Sequence, residues 1–156
     1  MHTRGQKSPT PKGSRFRDRR HLLRGQVLVL SSGGYPDVSH GGGTKLSRGD
    51  GHGAGVLADG RLRDFDQLRG YSFATWCRGE AVPRGGDAVM SHDFGITVEI
   101  SGVCVNPGDY VYMDNAGGVV IPSASLHRVT DIAEEVTAEE AVAAKSIRVE
   151  ATRPDK

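Results

Sequence analysis

One segment in the middle of the chain, residues 53–69, constrains the fold more than any other. Its apolar run ends in an Asp-Gly pair typical of a turn, and Arg63 and Asp64 follow directly. A strand ending in such a turn places a guanidinium and a carboxylate at its carboxyl end, where layered α/β proteins commonly bind ligands. The segment predicts either a site for a small metal-chelating acid or an ordinary Arg–Asp pair that caps a helix over residues 62–68.

Charge divides the chain into a basic start and a mildly acidic remainder. The 156 residues suit one domain, and 20 Lys and Arg against 19 Asp and Glu give a net charge of +1. Residues 1–24 hold eight of these basic residues and one acid, which leaves 12 basic and 18 acidic residues over 25–156. This balance disfavours a nucleic-acid-binding surface on the folded part, and the Pro- and Gly-containing arm is predicted to be disordered.

The apolar residues and the cysteines argue for a cytoplasmic location. No apolar run reaches the 18 residues that suggest a membrane span, and the block at residues 27–30 is too short for a signal-peptide core. Cys77 and Cys104 lack C-x-x-C spacing and are predicted to be small buried hydrophobic residues. We therefore expect a cytoplasmic protein.

Alternation and turn residues predict a mixture of strands and short helices. Strands are predicted over residues 26–30, 54–58, 72–78, 96–100, 103–105, 110–113 and 119–121. Short helical segments are predicted over residues 44–48 and 63–68. A helix from Ser123 or Ser125 to Glu135 and a second one from Thr137, which begins a capping-box pattern, complete the chain. This order predicts a β-rich sandwich of sheets with outer helices rather than a regular βαβ repeat.

Other familiar sites fit the sequence poorly. Residues 41–45, Gly-Gly-Gly-Thr-Lys, lack the order of a nucleotide-binding P-loop. The histidines have no zinc-site spacing, and no G-x-S-x-G elbow marks a nucleophilic serine.

Three blocks of the sequence together resemble the RraA-like family. They are a Gly-rich loop before a short helix, AGVLADGRLRD, and VNPGDYVYMDNAGGVVIP, and the resemblance covers residues 26–135. This family includes regulators of RNase activity and class II pyruvate aldolases acting on 4-hydroxy-4-methyl-2-oxoglutarate. Its members were formerly described as demethylmenaquinone methyltransferases.

The resemblance implies a fold and an assembly. The family has an α/β fold, an αββα-type sandwich related to swivelling domains, and forms trimers or pairs of trimers with sites between subunits. The implied division is a disordered arm (1–25), an RraA-like domain (26–136), and a C-terminal helix and tail (137–156). Since the basic arm stands where family members have a helical segment, part of the N-terminal helical layer is expected to be missing.

The resemblance also assigns residues to a site. In the family's aldolases a D-x20-R-D pattern carries the chemistry, and Arg63 and Asp64 match its R-D. Asp64 is expected to hold Mg²⁺ or Mn²⁺, which polarises the keto oxygen of a pyruvyl group, and Arg63 to bind that group's carboxylate. Gly42, Gly43 and Thr44 are expected to line the substrate site, with backbone N–H groups of Gly43 and Thr44 gripping the same carboxylate.

One position departs from this pattern. Gly42 stands where the family's aldolases have the first Asp, which helps to hold water or to move a proton. Asp37 and His40 of the same loop are candidate substitutes, although loop-shaping roles suit them better. Asp66 is expected to point to solvent rather than to join Asp64.

The resulting hypothesis is a metal-dependent lyase that cleaves 4-hydroxy-2-oxo acids or decarboxylates oxaloacetate, releasing pyruvate. The alternatives are a non-catalytic regulator that binds an RNA-degrading enzyme, and an inactive truncated homologue. The expected partners are a small 2-oxo acid and further copies of the chain in a homotrimer or hexamer. No membrane or nucleic acid is expected.

Overall fold

A computed structural model describes residues 24–33, 35, 39–47, 50, 53–83, 89 and 92–151. The strands are β1 (Gln26–Leu30), β2 (Gly53–Ala58), β3 (Ala74–Trp76), β4 (Val98–Ile100), β5 (Val103–Val105), β6 (Tyr110–Met113) and β7 (Gly118–Ile121). The helices are α1 (Gly43–Leu46), α2 (Phe65–Leu68) and α3 (Leu126–Ala151), and a 3₁₀ turn at Ser123–Ser125 precedes α3. All seven predicted strands are confirmed within two residues at each end.

A parallel sheet forms the centre of the first of two compact units, which ends at Pro107. Its strand order is β1-β2-β3, with Leu30 paired to Ala58 and Val56 to Thr75. The chain crosses between these strands through α1 and α2, whereas the sequence predicted a β-rich sandwich rather than a regular βαβ repeat. Each crossover helix has only four residues, too few to give the sequence a visible helical period.

The hydrophobic core lies along this sheet. β2 is the central strand and is buried over its last four residues, as expected for a strand covered on both faces. The buried cluster comprises Leu28, Leu46, Val56, Ala58, Leu62 and Leu68. Because Leu62 and Leu68 flank the Arg63–Asp64 pair, that pair is anchored on both sides by core residues.

Asp59 connects the carboxyl ends of β1 and β2 through hydrogen bonds. Its side chain is buried, and Oδ1 accepts hydrogen bonds from the Ser32 N–H at 2.9 Å and the Ser32 hydroxyl at 3.0 Å. The neighbouring Ser31 hydroxyl donates to the Glu99 carbonyl, at 2.6 Å, in the β4 strand. Because buried polar groups need partners, these bonds fix where the loop after β1 begins.

The same unit contains an antiparallel pair, β4 and β5. Val98 pairs with Val105 across a tight turn in which Ser101 and Gly102 both have positive φ. Cys104 in β5 is exposed, and Cys77 after β3 is only partly buried, so the prediction of two buried cysteines was wrong.

The second unit, from Gly108 onward, contains the β6–β7 hairpin and α3. The hairpin pairs Tyr110 with Ile121 and turns at Asp114, whose Oδ1 accepts the N–H of Ala116 at 2.8 Å. The structure has one continuous α3 in place of the two predicted helices. The Thr137 hydroxyl donates to the Ala133 carbonyl at 2.7 Å within the helix, so it does not cap a new one.

Within the described residues, no helix combines the length and the apolar character needed to cross a bilayer.

Asp59→Ala is expected to lower the free energy of unfolding by about 1–3 kcal/mol, because the partly buried Ser32 N–H loses its acceptor, the buried Asp59 carboxylate. Urea denaturation would measure the change. The matched control is Asp66→Ala, which removes a fully exposed carboxylate and should change stability by less than about 0.5 kcal/mol. Equal effects of the two substitutions would contradict the role given to Asp59.

Candidate functional site

The site is built where two neighbouring parallel strands end. The loop after β1 returns alongside the turn after β2, and backbone hydrogen bonds hold the two together. The His40 N–H donates to the Arg61 carbonyl at 2.9 Å, and the Arg63 N–H donates to the Gly41 carbonyl at 3.0 Å. This pairing brings the glycines that follow Gly41 against the Arg63–Asp64 pair.

The Asp64 carboxylate bridges these two segments. Its Oδ2 atom accepts the Gly43 N–H at 3.1 Å and lies 3.4 Å from Arg63 Nε. The Arg63 and Asp64 side chains are 31% and 45% exposed, so the ion pair itself contributes about 1 kcal/mol or less. The pair is therefore accessible to a small ligand while remaining fixed to the loop.

The simple capping interpretation of Asp64 does not describe this contact. Asp64 occupies the N-cap position of α2, but its side chain makes no capping bond there. Its backbone lies in the left-handed region, with φ 64° and ψ 43°, and its carboxylate instead binds the N–H of Gly43, the first residue of α1. The side chain joins two loops rather than stabilising its own helix.

Because Gly42 has no side chain, the Arg63 and Asp64 side chains occupy the space beside it. A Cβ atom at Gly42 would overlap the Asp64 carboxylate and would lie 2.6 Å from Arg63 Cγ and 2.9 Å from Arg63 Nε. No side chain fits there with the pair as it stands, and this includes the aspartate of the D-x20-R-D pattern. Gly42, a predicted substrate-site residue, thus lies directly against Arg63 and Asp64.

Gly43 is held by two side chains that the sequence analysis did not single out. A Cβ atom at Gly43 would overlap the carboxamide of Gln67 and lie 2.8 Å from Gln67 Cγ. The Tyr71 hydroxyl donates to the Gly43 carbonyl at 3.0 Å, and its ring stacks on Phe73 with centroids 5.5 Å apart. Gln67 lies in α2 and Tyr71 lies beyond its end, so helical spacing in the sequence does not mark the two residues for one face.

The remaining predicted residues have clear positions. Thr44 is the second residue of α1, adjacent to Gly43. Asp66 is fully exposed and pairs with Arg69 at 3.2 Å, which confirms that it points to solvent. The ring of His40 lies against Gly60 rather than against the Arg63–Asp64 pair, and Asp37 lies outside the described residues.

The residues present suit a metal shared with a ligand rather than one enclosed by protein. In the described part of the chain no three His, Cys, Asp or Glu side chains form a metal-binding group. Asp64 Oδ1 makes no hydrogen bond within that part, which leaves one carboxylate oxygen available. Mg²⁺ is often held by one or two carboxylates, with water and ligand oxygens completing an octahedron. The donor set at Asp64 fits that chemistry.

Comparison with known protein families finds one match. The model of the RraA-like family, described as Aldolase/RraA, matches residues 20–121. A protein of Paraburkholderia phytofirmans, provisionally named 4-hydroxy-4-methyl-2-oxoglutarate aldolase, is 30% identical over 104 residues, which are 66% of this chain and 62% of that protein. The chain spans less than two thirds of the length of the relatives that it matches in sequence.

Solved structures share the fold. An uncharacterised protein from Pseudomonas syringae superposes with a TM-score of 0.79 at 23% identity, covering 91% of this chain and 66% of that one. RraAS2 of Streptomyces coelicolor, described as an unusual member of the RNase ES inhibitor RraA family, has a TM-score of 0.74 at 26% identity, covering 83% of this chain and 67% of that one. These likenesses confirm the predicted α/β fold of the RraA type.

Gly42→Ala is expected to lower the free energy of unfolding by about 1–3 kcal/mol, because the new Cβ displaces Asp64 and Arg63. Chemical denaturation would measure the change in the free energy of unfolding. Gly118→Ala is the control, since a Cβ there meets Met113 Cγ at an ordinary 3.6 Å. Adding Asp64→Ala to the Gly42→Ala variant should recover part of the loss, because the double variant removes the overlapping carboxylate. Strictly additive effects would rule out the proposed overlap.

Proposed function

Because the chain belongs to the RraA-like family, we propose that it is a divalent-metal-dependent lyase that releases pyruvate. Its substrates would be oxaloacetate, by decarboxylation, or a 4-hydroxy-2-oxo acid such as 4-hydroxy-4-methyl-2-oxoglutarate, by aldol cleavage. One observation carries the proposal: Arg63 and Asp64 lie together, half-exposed, against Gly42 and Gly43 at the carboxyl edge of the parallel sheet.

Arg63 is assigned to the substrate carboxylate. Its Nε atom faces Asp64, and its terminal nitrogens make no hydrogen bond within the described part of the chain. A guanidinium with a free terminal edge can bind a carboxylate through two parallel hydrogen bonds. The N–H groups of Gly43 and Thr44 would complete the grip once Asp64 releases Gly43.

Asp64 is assigned to the metal. Mg²⁺ or Mn²⁺ bound there would supply Lewis-acid polarisation of the substrate's keto oxygen. The role of Asp64 is to hold the ion through Oδ1 beside the carboxylate that Arg63 binds, so that the keto group faces it. No lysine Schiff base is needed, and Lys45 is the only lysine over residues 26–135.

Gly42 affects the two candidate reactions differently. Aldol cleavage breaks C3–C4 only after the 4-hydroxyl loses a proton, and the electron pair passes to C3, which then takes up a proton. Decarboxylation of oxaloacetate breaks C3–C4 with loss of CO₂, so no hydroxyl proton has to be removed and only C3 is protonated. A chain with glycine at position 42 should therefore retain decarboxylation better than aldol cleavage.

A second candidate function is that of a non-catalytic regulator that binds an RNA-degrading enzyme. Gly42 favours it, because the side chain that the family's aldolases use for proton movement is absent. The description of RraAS2 as a member of an RNase ES inhibitor family agrees with it. In either case we propose a cytoplasmic homotrimer or hexamer, which light scattering after gel filtration would test.

The deciding experiment is pyruvate release from oxaloacetate and from 4-hydroxy-4-methyl-2-oxoglutarate, followed with lactate dehydrogenase. It is run with Mg²⁺ and again with EDTA, with the spontaneous metal-catalysed rate subtracted. Release that depends on both protein and metal supports the lyase. No release from a folded sample favours the regulator, which a pull-down with an RNA-degrading enzyme would then examine.

Asp64→Asn should lower metal-dependent pyruvate release by about a hundredfold or more, because the neutral amide holds Mg²⁺ poorly. Asparagine tolerates the left-handed backbone at this position, so the melting temperature should change little. Isothermal titration with Mg²⁺ gives an independent readout. A clearly lower melting temperature with unchanged Mg²⁺ affinity would make Asp64 a structural residue.

Arg63→Lys should raise the KM for oxaloacetate about tenfold with a smaller change in kcat. An ammonium group cannot make the two parallel hydrogen bonds that a guanidinium makes to a carboxylate. Steady-state kinetics at saturating Mg²⁺ measure both constants. Arg61→Lys is the control, since Arg61 donates to the Glu80 carbonyl at 3.1 Å and has no assigned role in binding. An unchanged KM for Arg63→Lys removes Arg63 from the substrate site.

A further inference from the structure

Gln67 is a polar group beside the Arg63–Asp64 pair that the proposed chemistry does not use. It lies on α2, one turn after Asp64, with its side chain exposed to solvent. Its carboxamide rests on Gly43, filling the place where a Cβ of that residue would stand. Within the described part of the chain the carboxamide makes no hydrogen bond.

The two side chains, Asp64 and Gln67, occupy neighbouring places along one short stretch of loop. Asp64 fills the Cβ position of Gly42, and Gln67 fills the Cβ position of Gly43. Consecutive Cα atoms are about 3.8 Å apart across a trans peptide. The carboxamide and the carboxylate assigned to the metal therefore lie against adjacent residues of the loop.

We propose that Gln67 is a specificity-determining residue that donates a hydrogen bond to the distal carboxylate of a 2-oxo diacid. This inference rests on the proposed function, since it takes the keto group to lie at Asp64 and the proximal carboxylate at Arg63. Three C–C bonds of about 1.5 Å separate the keto carbon from the distal carboxylate carbon of a five-carbon 2-oxo diacid and span roughly 4 Å. That length is comparable with the spacing of about 3.8 Å between the Cα atoms of Gly42 and Gly43, against which Asp64 and Gln67 lie.

The residue type suits this role. A glutamine carboxamide can donate to a carboxylate and carries no charge, so it accepts a second anionic group close to Asp64. A glutamate at the same place would put a like charge against the ligand and would discriminate against diacids. A monoacid with a methyl group in place of the distal carboxylate would gain nothing from either side chain.

The test compares 2-oxoglutarate with 2-oxopentanoate, which have the same chain length and differ only at the distal carboxylate. Binding of each is measured by isothermal titration at saturating Mg²⁺. The variants are Gln67→Glu and Gln67→Ala. Arg69→Gln is the matched control, because it changes the net charge by the same amount at a 75% exposed side chain beside α2 that already pairs with Asp66.

Wild type should prefer the diacid severalfold. Gln67→Glu should weaken the binding of 2-oxoglutarate about tenfold or more. It should weaken the binding of 2-oxopentanoate by less than about threefold. Gln67→Ala should abolish the preference, and Arg69→Gln should leave both affinities unchanged. Equal losses for both acids, or no preference in wild type, would overturn the role of Gln67.

Pyruvate release separates this inference from the proposed function. Suppose that wild type releases no pyruvate, but Gln67→Glu selectively weakens the binding of 2-oxoglutarate. The lyase proposal then fails and the diacid site stands. If wild type releases pyruvate and Gln67→Glu leaves the binding ratio unchanged, the lyase stands and the Gln67 assignment fails. If wild type binds neither acid, the Gln67 assignment fails, and if it also releases no pyruvate, both proposals are rejected.

Discussion

The bond between the Asp64 carboxylate and the Gly43 N–H is the contact that holds the candidate site together before a ligand binds. The two residues belong to segments that follow adjacent parallel strands, so strand pairing alone brings them to the same edge. Strand pairing does not set the distance between the segments. That distance is set by the absence of side chains at Gly42 and Gly43, whose Cβ positions are filled by Asp64 and Gln67.

The same close packing explains why Gly42 and the Arg63–Asp64 pair belong together. An aspartate at position 42 would need the volume that the Asp64 carboxylate now holds, and it would put a second negative charge against the first. The glycine is therefore part of a consistent arrangement in which one carboxylate, not two, faces the ligand. Such a site has fewer groups for moving protons, and for this reason the proposed function favours decarboxylation over aldol cleavage.

Local pattern was sufficient for most strands and for the Arg63–Asp64 pair, because alternation and turn residues are read directly from neighbouring positions. Local pattern was not sufficient where the same residue type can occupy two different structural positions. Thr137 begins a capping-box pattern but back-bonds to Ala133 inside α3. Asp59 reads as an ordinary turn residue, yet it is buried because Ser31 and Ser32 arrive from another strand. Contacts of Gln67 and Tyr71 with Gly43 likewise require the folded position of a distant loop.

The backbone of Asp64 shows that the chain places this carboxylate at a cost. A left-handed conformation disfavours a non-glycine residue by about 1–2 kcal/mol, although Asp tolerates it better than most. With ordinary N-cap geometry, Asp64 would turn its side chain toward the amides of α2 and stabilise its own helix. The observed conformation gives up that bond and directs the carboxylate across to Gly43, where it also meets Arg63. Local helix stability is thus exchanged for a tertiary contact between the two loops, and strained backbone conformations of this kind often cluster at functional sites.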